Sequence, residues 1–181
     1  MSDMNAAPLR LVLAVTAVVG LAGCATNPAP DPAAEIPYCH KTNKGRVIAC
    51  TSTPAPPLNA NAEAKRFTPD PQALTVFVVR RNWGDSRHFV KVRVDDGPAI
   101  DTLPDTMARI KLAPGAHTIA YEFEGQRQSR SVAGKAGEVR FLRIEGMAWT
   151  WRSSFEWVDE PEDATRARAQ KARLVADVAR R

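Results

Sequence analysis

Short runs of alternating apolar and polar residues fill residues 73–158, and this period of two limits the possible folds more than any other feature. In Phe89–Val94 and Met107–Leu112 the valine, isoleucine and leucine side chains alternate with charged ones, as in strands with one buried face. Leu74–Val79 is apolar on both faces, which is typical of a central buried strand. The pattern predicts β structure.

Turn residues separate these runs. Asp95-Asp96-Gly97 and Pro114-Gly115 each end one run before the next begins. Further strands are expected at about 116–123, 127–133, 138–145 and 147–158. Seven or so strands without intervening helices predict a mainly β fold, an antiparallel β-sandwich over residues 73–158.

The N-terminus has the features of an export signal. Arg10 precedes the uncharged run Leu11–Gly23, which is shorter than the roughly 20 apolar residues that a membrane span needs. Leu21-Ala22-Gly23-Cys24 resembles the bacterial lipobox, in which the cysteine carries the lipid. Residues 1–23 are therefore a predicted lipoprotein signal peptide, and Cys24 is the predicted lipidation site. The alternative is an ordinary secretory signal with an accidental cysteine.

Several acyl chains would hold such a protein firmly on a membrane. Ala25 stands where the inner-membrane retention rule of enteric bacteria expects Asp, so the outer membrane, facing the periplasm, is the expected location. Residues 24–72 are rich in Pro and Ala, and 25–37 and 51–72 are expected to be an extended tether.

Cys39 and Cys50 lie within this tether. Export to an oxidising compartment favours a disulfide between them, and Asn43-Lys44-Gly45 midway suggests a hairpin turn. In the chain-entropy model, closing such a short loop would stabilise the folded protein by about 2.5–3 kcal/mol. The alternative, a metal site of Cys39, His40 and Cys50, lacks paired ligand spacing.

The chain has a formal charge of +5 and a pI of 9.4. An exported protein rarely meets nucleic acid, so the expected partners are the membrane, through the anchor, and an envelope protein or cell-wall polymer. Residues 159–181 are predicted to form a basic helix, which either lies on anionic lipid or is simply solvated. Its basic residues are Arg166, Arg168, Lys171, Arg173, Arg180 and Arg181.

Three stretches resemble a known family. Leu112-Ala-Pro-Gly-Ala-His-Thr-Ile119 is similar to the proline-glycine-histidine hairpin of small bacterial lipoproteins grouped as domain of unknown function 2846. Val76–Arg80 resembles the opening strand of that family, and Val92–Gly97 its second hairpin; similar turns occur in PEGA-type modules. The resemblance implies a β-sandwich lipoprotein of undetermined activity, and it carries over no catalytic residues.

Sequence motifs of catalysis are not found. The chain has no Gly-x-Ser-x-Gly elbow, no Ser-x-x-Lys, no His-Glu-x-x-His and no phosphate-binding glycine loop. We therefore expect no enzymatic activity, no cofactor and no metal. An enzyme of unfamiliar type would require Asp85, Asp101, Asp105 or Glu138 to converge in space.

One predicted strand carries aromatic residues that would share one of its faces: Trp149, Trp151, Phe155 and Trp157. They either line the interior or form a platform that stacks sugar rings or a peptide stem, with His117 or Arg80 as polar contacts. For His117 a hydrogen bond to a nearby backbone group is the alternative. The leading hypothesis is a non-enzymatic interaction or structural module of the envelope; the alternative is a small-ligand or glycan receptor.

Overall fold

A computed structural model describes residues 31–82, 84–148 and 151–180 of the chain. The predicted signal peptide and Cys24 lie outside these residues, and so do Trp149 and Arg181. No helix among the described residues is both long and apolar enough to cross a membrane.

The described part of the chain consists mainly of β-strands, as the alternating pattern predicts. The strands are β1 (Ile36–Lys41), β2 (Val47–Ala55), β3 (Leu74–Arg80), β4 (Val90–Val94), β5 (Ile100–Thr102), β6 (Thr106–Leu112), β7 (Gly115–Phe123), β8 (Gln126–Gly134), β9 (Val139–Ala148), β10 (Ser153–Val158) and β11 (Arg173–Arg180). The two helices are α1 (Leu58–Ala64) and α2 (Glu162–Ala169).

These strands form three sheets. The first has the order β10-β9-β3-β6-β11, the second has the order β5-β4-β7-β8, and β1 and β2 form a separate hairpin. β9 runs parallel to β3 and β11 runs parallel to β6, whereas the other pairs are antiparallel. The architecture does not match an antiparallel sandwich of about seven strands, because strands also form in the segments interpreted as tether and C-terminal helix.

The main core contains side chains from the two larger sheets. One face of β3 contributes Leu74, Val76 and Val78, and the four-stranded sheet contributes Val92 and Ile119 among others. These residues are almost completely buried, so the alternating runs place their apolar side chains inward as expected.

A second cluster covers the opposite face of the five-stranded sheet. Phe77 of β3 packs there with Phe67 and Phe141, and Ala169 of α2 and Leu174 of β11 complete the layer. This cluster explains why β3 is apolar on both faces: every residue of the strand is buried.

Residues 51–72 differ from the extended tether that their composition suggests. Ala55 and Ala64 are fully buried, and the Phe67 ring lies 5.0 Å from that of Phe77 and 5.1 Å from that of Phe141. The Pro-rich composition hides these apolar residues, which bind the segment to the sheet.

The C-terminal segment does not form the predicted basic helix over residues 159–181. α2 ends at Ala169, and β11 then pairs with the edge of β6, placing Leu174 opposite Met107. Leu174 and Val175 are buried. Ala and Arg favour helices, but edge pairing and burial of these apolar residues outweigh that preference.

Candidate functional site

The two cysteines of the β1–β2 hairpin form a disulfide, as predicted. Cys39 and Cys50 face each other across the hairpin with a Cα–Cα distance of 3.9 Å. The hairpin contacts the larger sheets through Tyr38, whose hydroxyl donates to the carbonyl oxygen of Pro104 (3.2 Å), and through Ser52, whose hydroxyl donates to Asp101. It is therefore docked on the domain.

Arg80, a predicted polar contact for a ligand, lies in the interior with no exposed surface. Its guanidinium donates to both carboxylate oxygens of Asp85, at 3.0 and 3.2 Å. It also donates to the carbonyl oxygens of Ser86, His88 and Thr102 at 2.6–2.9 Å. Every one of these partners belongs to the chain itself, so Arg80 holds the loop between β3 and β4 against β5.

Burial dominates the electrostatics of this pair. It raises the pKa of Asp85 and lowers that of Arg80, while the attraction between the two groups opposes both shifts. The Phe155 ring lies 4.9 Å from the guanidinium carbon, and a Cβ on Gly146 would overlap both this ring and Asp85. The site is closely packed, as a structural ion pair requires.

His117, the second predicted polar contact, is hydrogen-bonded at both ring nitrogens. Nδ1 lies 3.0 Å from a carboxylate oxygen of Asp95, and Nε2 lies 2.9 Å from the carbonyl oxygen of Ala113. Both partners are acceptors, so only the imidazolium satisfies them together. The bond to Asp95 raises the pKa of His117. Asp95 also accepts from the backbone N–H of Thr118, and these two bonds lower its pKa.

The predicted aromatic face is divided between interior and solvent. Phe155 is buried, and Trp157 is half-buried against Tyr121, with a centroid distance of 5.5 Å. The Tyr121 hydroxyl donates to the carbonyl oxygen of Phe155, and burial raises the pKa of Tyr121 to about 12. Trp151, in contrast, is 93% exposed. The described rings line the core on one side and leave a single indole in water, so together they form no stacking platform.

The four carboxylates considered for catalysis have separate partners. Asp85 pairs with Arg80, and Asp101 accepts from Ser52. Asp105 pairs with Arg81 at 2.5 Å, and Glu138 pairs with Arg140 at 2.9 Å. Each carboxylate is thus engaged in its own local contact.

Two arginine networks that no sequence motif predicts join the terminal segments to the domain. Arg109 of β6 bonds to Glu63 of α1 (2.6 Å) and to Asp177 of β11 (2.5 Å). Arg143 of β9 pairs with Glu160 at 2.7 Å, and Glu160 accepts from Thr165 of α2. The charged residues that alternate with apolar ones in β6 and β9 are the sequence signal of these networks, and the partners of Arg109 lie 46 and 68 residues away in the chain.

The surface of the described residues includes two open grooves. The larger, of about 580 Å³, is formed by the β7–β8 turn with His88 and Phe89. The smaller, of about 480 Å³, lies over Phe67 and Phe141, where the Arg166 guanidinium carbon is 5.2 Å from the Phe67 ring centroid. Both grooves mix apolar rings with charged groups, which suits contacts with an amphipathic surface.

Among the described residues, no group of three or more His, Cys, Asp or Glu side chains is arranged to hold a metal ion. No protein-family model matches the chain, and a search of curated proteins finds no significant match.

Proposed function

We propose that the protein is a lipoprotein of the bacterial envelope, anchored through Cys24, and that its β domain is a non-enzymatic interaction module facing the periplasm. The observation that carries the proposal is the sequence Leu21-Ala22-Gly23-Cys24 at the end of a short apolar run. That arrangement resembles a lipobox, and the apolar run is too short for a comfortable span.

The Cys39–Cys50 disulfide supports export. Disulfides persist in the periplasm and outside the cell, whereas the cytosol keeps thiols reduced. The bond lies in the first hairpin of the described chain, which docks on the domain through Tyr38 and Ser52. Ala25 after the anchor supports the outer membrane as the location.

The buried charged side chains have partners within the fold, and this supports a role as an interaction module. Arg80 and Asp85 form the most deeply buried ion pair of the described residues, and Arg80 also donates to backbone carbonyls of a loop and of β5. The networks of Arg109 and Arg143 hold helices and strands together. Surface grooves with aromatic and charged walls remain available for an envelope protein or a cell-wall polymer.

Crosslinking in intact cells tests the module. A lysine-reactive reagent reaches exposed lysines such as Lys44 in the turn between β1 and β2 and Lys135 between β8 and β9. We expect discrete adducts with an envelope protein or with wall fragments, identified by mass spectrometry, and their loss in a Cys24→Ser variant that is no longer lipidated. The same adducts in both proteins, or no adducts in either, would contradict an anchored interaction module.

A further inference from the structure

We propose that one end of the β domain rests on an anionic phospholipid bilayer, with Trp151 and Met147 in the interfacial layer. The proposal rests on the proposed function, since the acyl chains on Cys24 bring the bilayer to the protein.

Strand directions define this end. β3 ends there at Arg80, and β9, parallel to β3, ends beyond it at Ala148. β6 and β11 begin there, at Thr106 and Arg173, because β6 is antiparallel to β3 and β11 is parallel to β6. We call this the entry end. β10 is an edge strand of this sheet and begins at the same end, where Ser153 pairs with Ala148.

The N-terminal part of the described chain approaches the same end. The backbone N–H of Asn59 donates to the carbonyl oxygen of Pro32 (3.2 Å), which places Pro32 beside the first turn of α1. α1 in turn holds the start of β11, where Asn61 accepts from the backbone N–H of Leu174 (2.8 Å). Arg173 also donates to the carbonyl oxygen of Pro56. The chain therefore enters beside the first residues of β11.

Chain length limits the distance from the anchor. Seven Cα–Cα steps separate Cys24 from Asp31, the first described residue. A fully extended chain of this length spans at most about 25 Å. A domain held this closely has part of its surface near the lipid head groups.

Exposed apolar side chains are concentrated at the entry end. Met147, 40% exposed, lies near the end of β9, and Trp151, 93% exposed, lies two residues before β10. Phe89 precedes β4 and follows His88, whose carbonyl oxygen accepts from Arg80. Ile36 and Leu58 are exposed near the point of entry. Indole rings favour the membrane–water interface because they are amphipathic. Within the described chain, Val47 in the turn region of the β1–β2 hairpin is the only large exposed apolar residue away from this end.

The charges at the entry end suit anionic lipid. Arg87, Arg152 and Lys171 are exposed there, and none of them forms an ion pair with a described acidic residue. Asp85 and Asp105 at the same end are both paired with arginines, so the exposed Glu124 and Glu156 are the acidic groups that oppose this basic set and leave it with a net positive charge. Basic side chains close to an anionic surface are attracted to it.

Quenching by brominated lipid tests the proposal. The full acylated protein is purified, acylation of Cys24 is checked by mass, and the protein is placed in phosphatidylcholine–phosphatidylglycerol vesicles with bromine on the acyl chains. We expect Trp151→Phe to reduce the quenched tryptophan emission about twofold, since a ring in the interfacial layer meets the quencher. Trp157→Phe, a matched change at a ring packed on Tyr121, should leave the quenching unchanged.

A second pair of variants tests whether basic side chains at the entry end attract the anionic lipid. Arg152→Gln should reduce quenching in the anionic vesicles, whereas Lys135→Gln, an exposed residue at the opposite end, should not. Circular dichroism checks that the variants fold. Equal quenching in the wild-type and Trp151→Phe proteins, with Cys24 acylated, would overturn this proposal and leave the anchor intact. Finding no acyl chains on Cys24 would overturn both proposals.

Discussion

A guanidinium group is stable inside a protein only where other groups replace the water that it loses. Arg80 meets this condition through Asp85 and three backbone carbonyls. The same contacts fix the loop between β3 and β4, which carries Phe89 to the surface. A side chain that the sequence offers as a ligand contact is therefore a structural residue.

Replacing Asp85 tests this role. Asp85→Asn leaves the Arg80 charge buried without a counter-charge, and we expect the free energy of unfolding to fall by about 3 kcal/mol. Asp105→Asn is the matched control because the Arg81–Asp105 pair is partly exposed, and its loss should cost less than about 1 kcal/mol. Urea unfolding measures both; equal small effects would show that the Arg80 pair is not structural.

His117 gives the stability of the protein a pH dependence. Its pKa in the folded protein is raised above the usual 6.5, so its contribution is complete below about pH 6.5 and is lost as the pH rises through the folded-state value. The pKa of Asp95 is lowered below 3.8, so its contribution is present above about pH 3.8 and is lost as the pH falls through its folded-state value.

The His117→Ala variant tests this linkage. It should destabilise the protein more at about pH 5.5 than at about pH 9, because the wild-type imidazolium loses its proton between these values. Urea unfolding of both proteins at the two pH values is the measurement. If His117→Ala lowered the free energy of unfolding by the same amount at both pH values, the charged His117–Asp95 pair would be contradicted.

At this scale the sequence predicts some roles better than others. The backbone bond of His117 follows from its position just after a turn, where carbonyl groups are close. The role of Arg80 does not follow, because its carbonyl partners come from a loop and from β5, and no pattern marks them. The division of the aromatic strand also depends on where β10 begins, at Ser153, which leaves Trp151 outside it.

Among the elements, the β1–β2 hairpin depends on its disulfide. A Cys39→Ser/Cys50→Ser variant loses the chain-entropy term of about 2.5–3 kcal/mol for this short loop. The hairpin meets the sheets through few side-chain contacts, so we expect faster hydrogen exchange confined to residues 36–55 and a smaller loss of global stability. Uniformly faster exchange throughout the domain would show that hairpin and sheets unfold together.

β11 is the element that differs most from the sequence expectation. Leu174 is fully buried in the second cluster, and Leu174→Ala should lower the free energy of unfolding by about 2–5 kcal/mol. Ala179→Ser, at an exposed position of the same strand, should change it by less than about 0.5 kcal/mol. A small effect of both changes would instead favour a solvated C-terminal helix.

The strands that the sequence predicts differ from β11 and α1 in the kind of signal that specifies them. Most strands between Leu74 and Val158 alternate apolar with polar residues, and β3 is apolar on both faces. Both patterns are local signals, so most of these strand positions follow from the sequence. β11 is stabilised by a parallel partner about 67 residues earlier, and α1 by contacts with Arg109 and β11. Such contacts over long sequence separations are invisible to local patterns, and the local helix propensity of the Ala- and Arg-rich tail points the other way.

For the whole molecule, the docked N-terminal hairpin changes the relation to the membrane. Composition alone suggests a tether over residues 24–72, which would hold the domain far from the bilayer. The described chain instead begins its contacts at Pro32, beside α1. A lipid on Cys24 would then hold the domain within about 25 Å of the bilayer surface. A partner would therefore have to bind the domain close to the membrane surface.

The chemical state of the N-terminus decides whether this protein is anchored as a lipoprotein. The protein is expressed in a bacterium, extracted from the membrane fraction with detergent, and its intact mass and N-terminal peptide are measured. We predict a chain that begins at Cys24, lacks residues 1–23 and carries a diacylglycerol on the cysteine thiol. A mature chain that begins elsewhere, or Cys24 without lipid, would show that the protein is not anchored through Cys24.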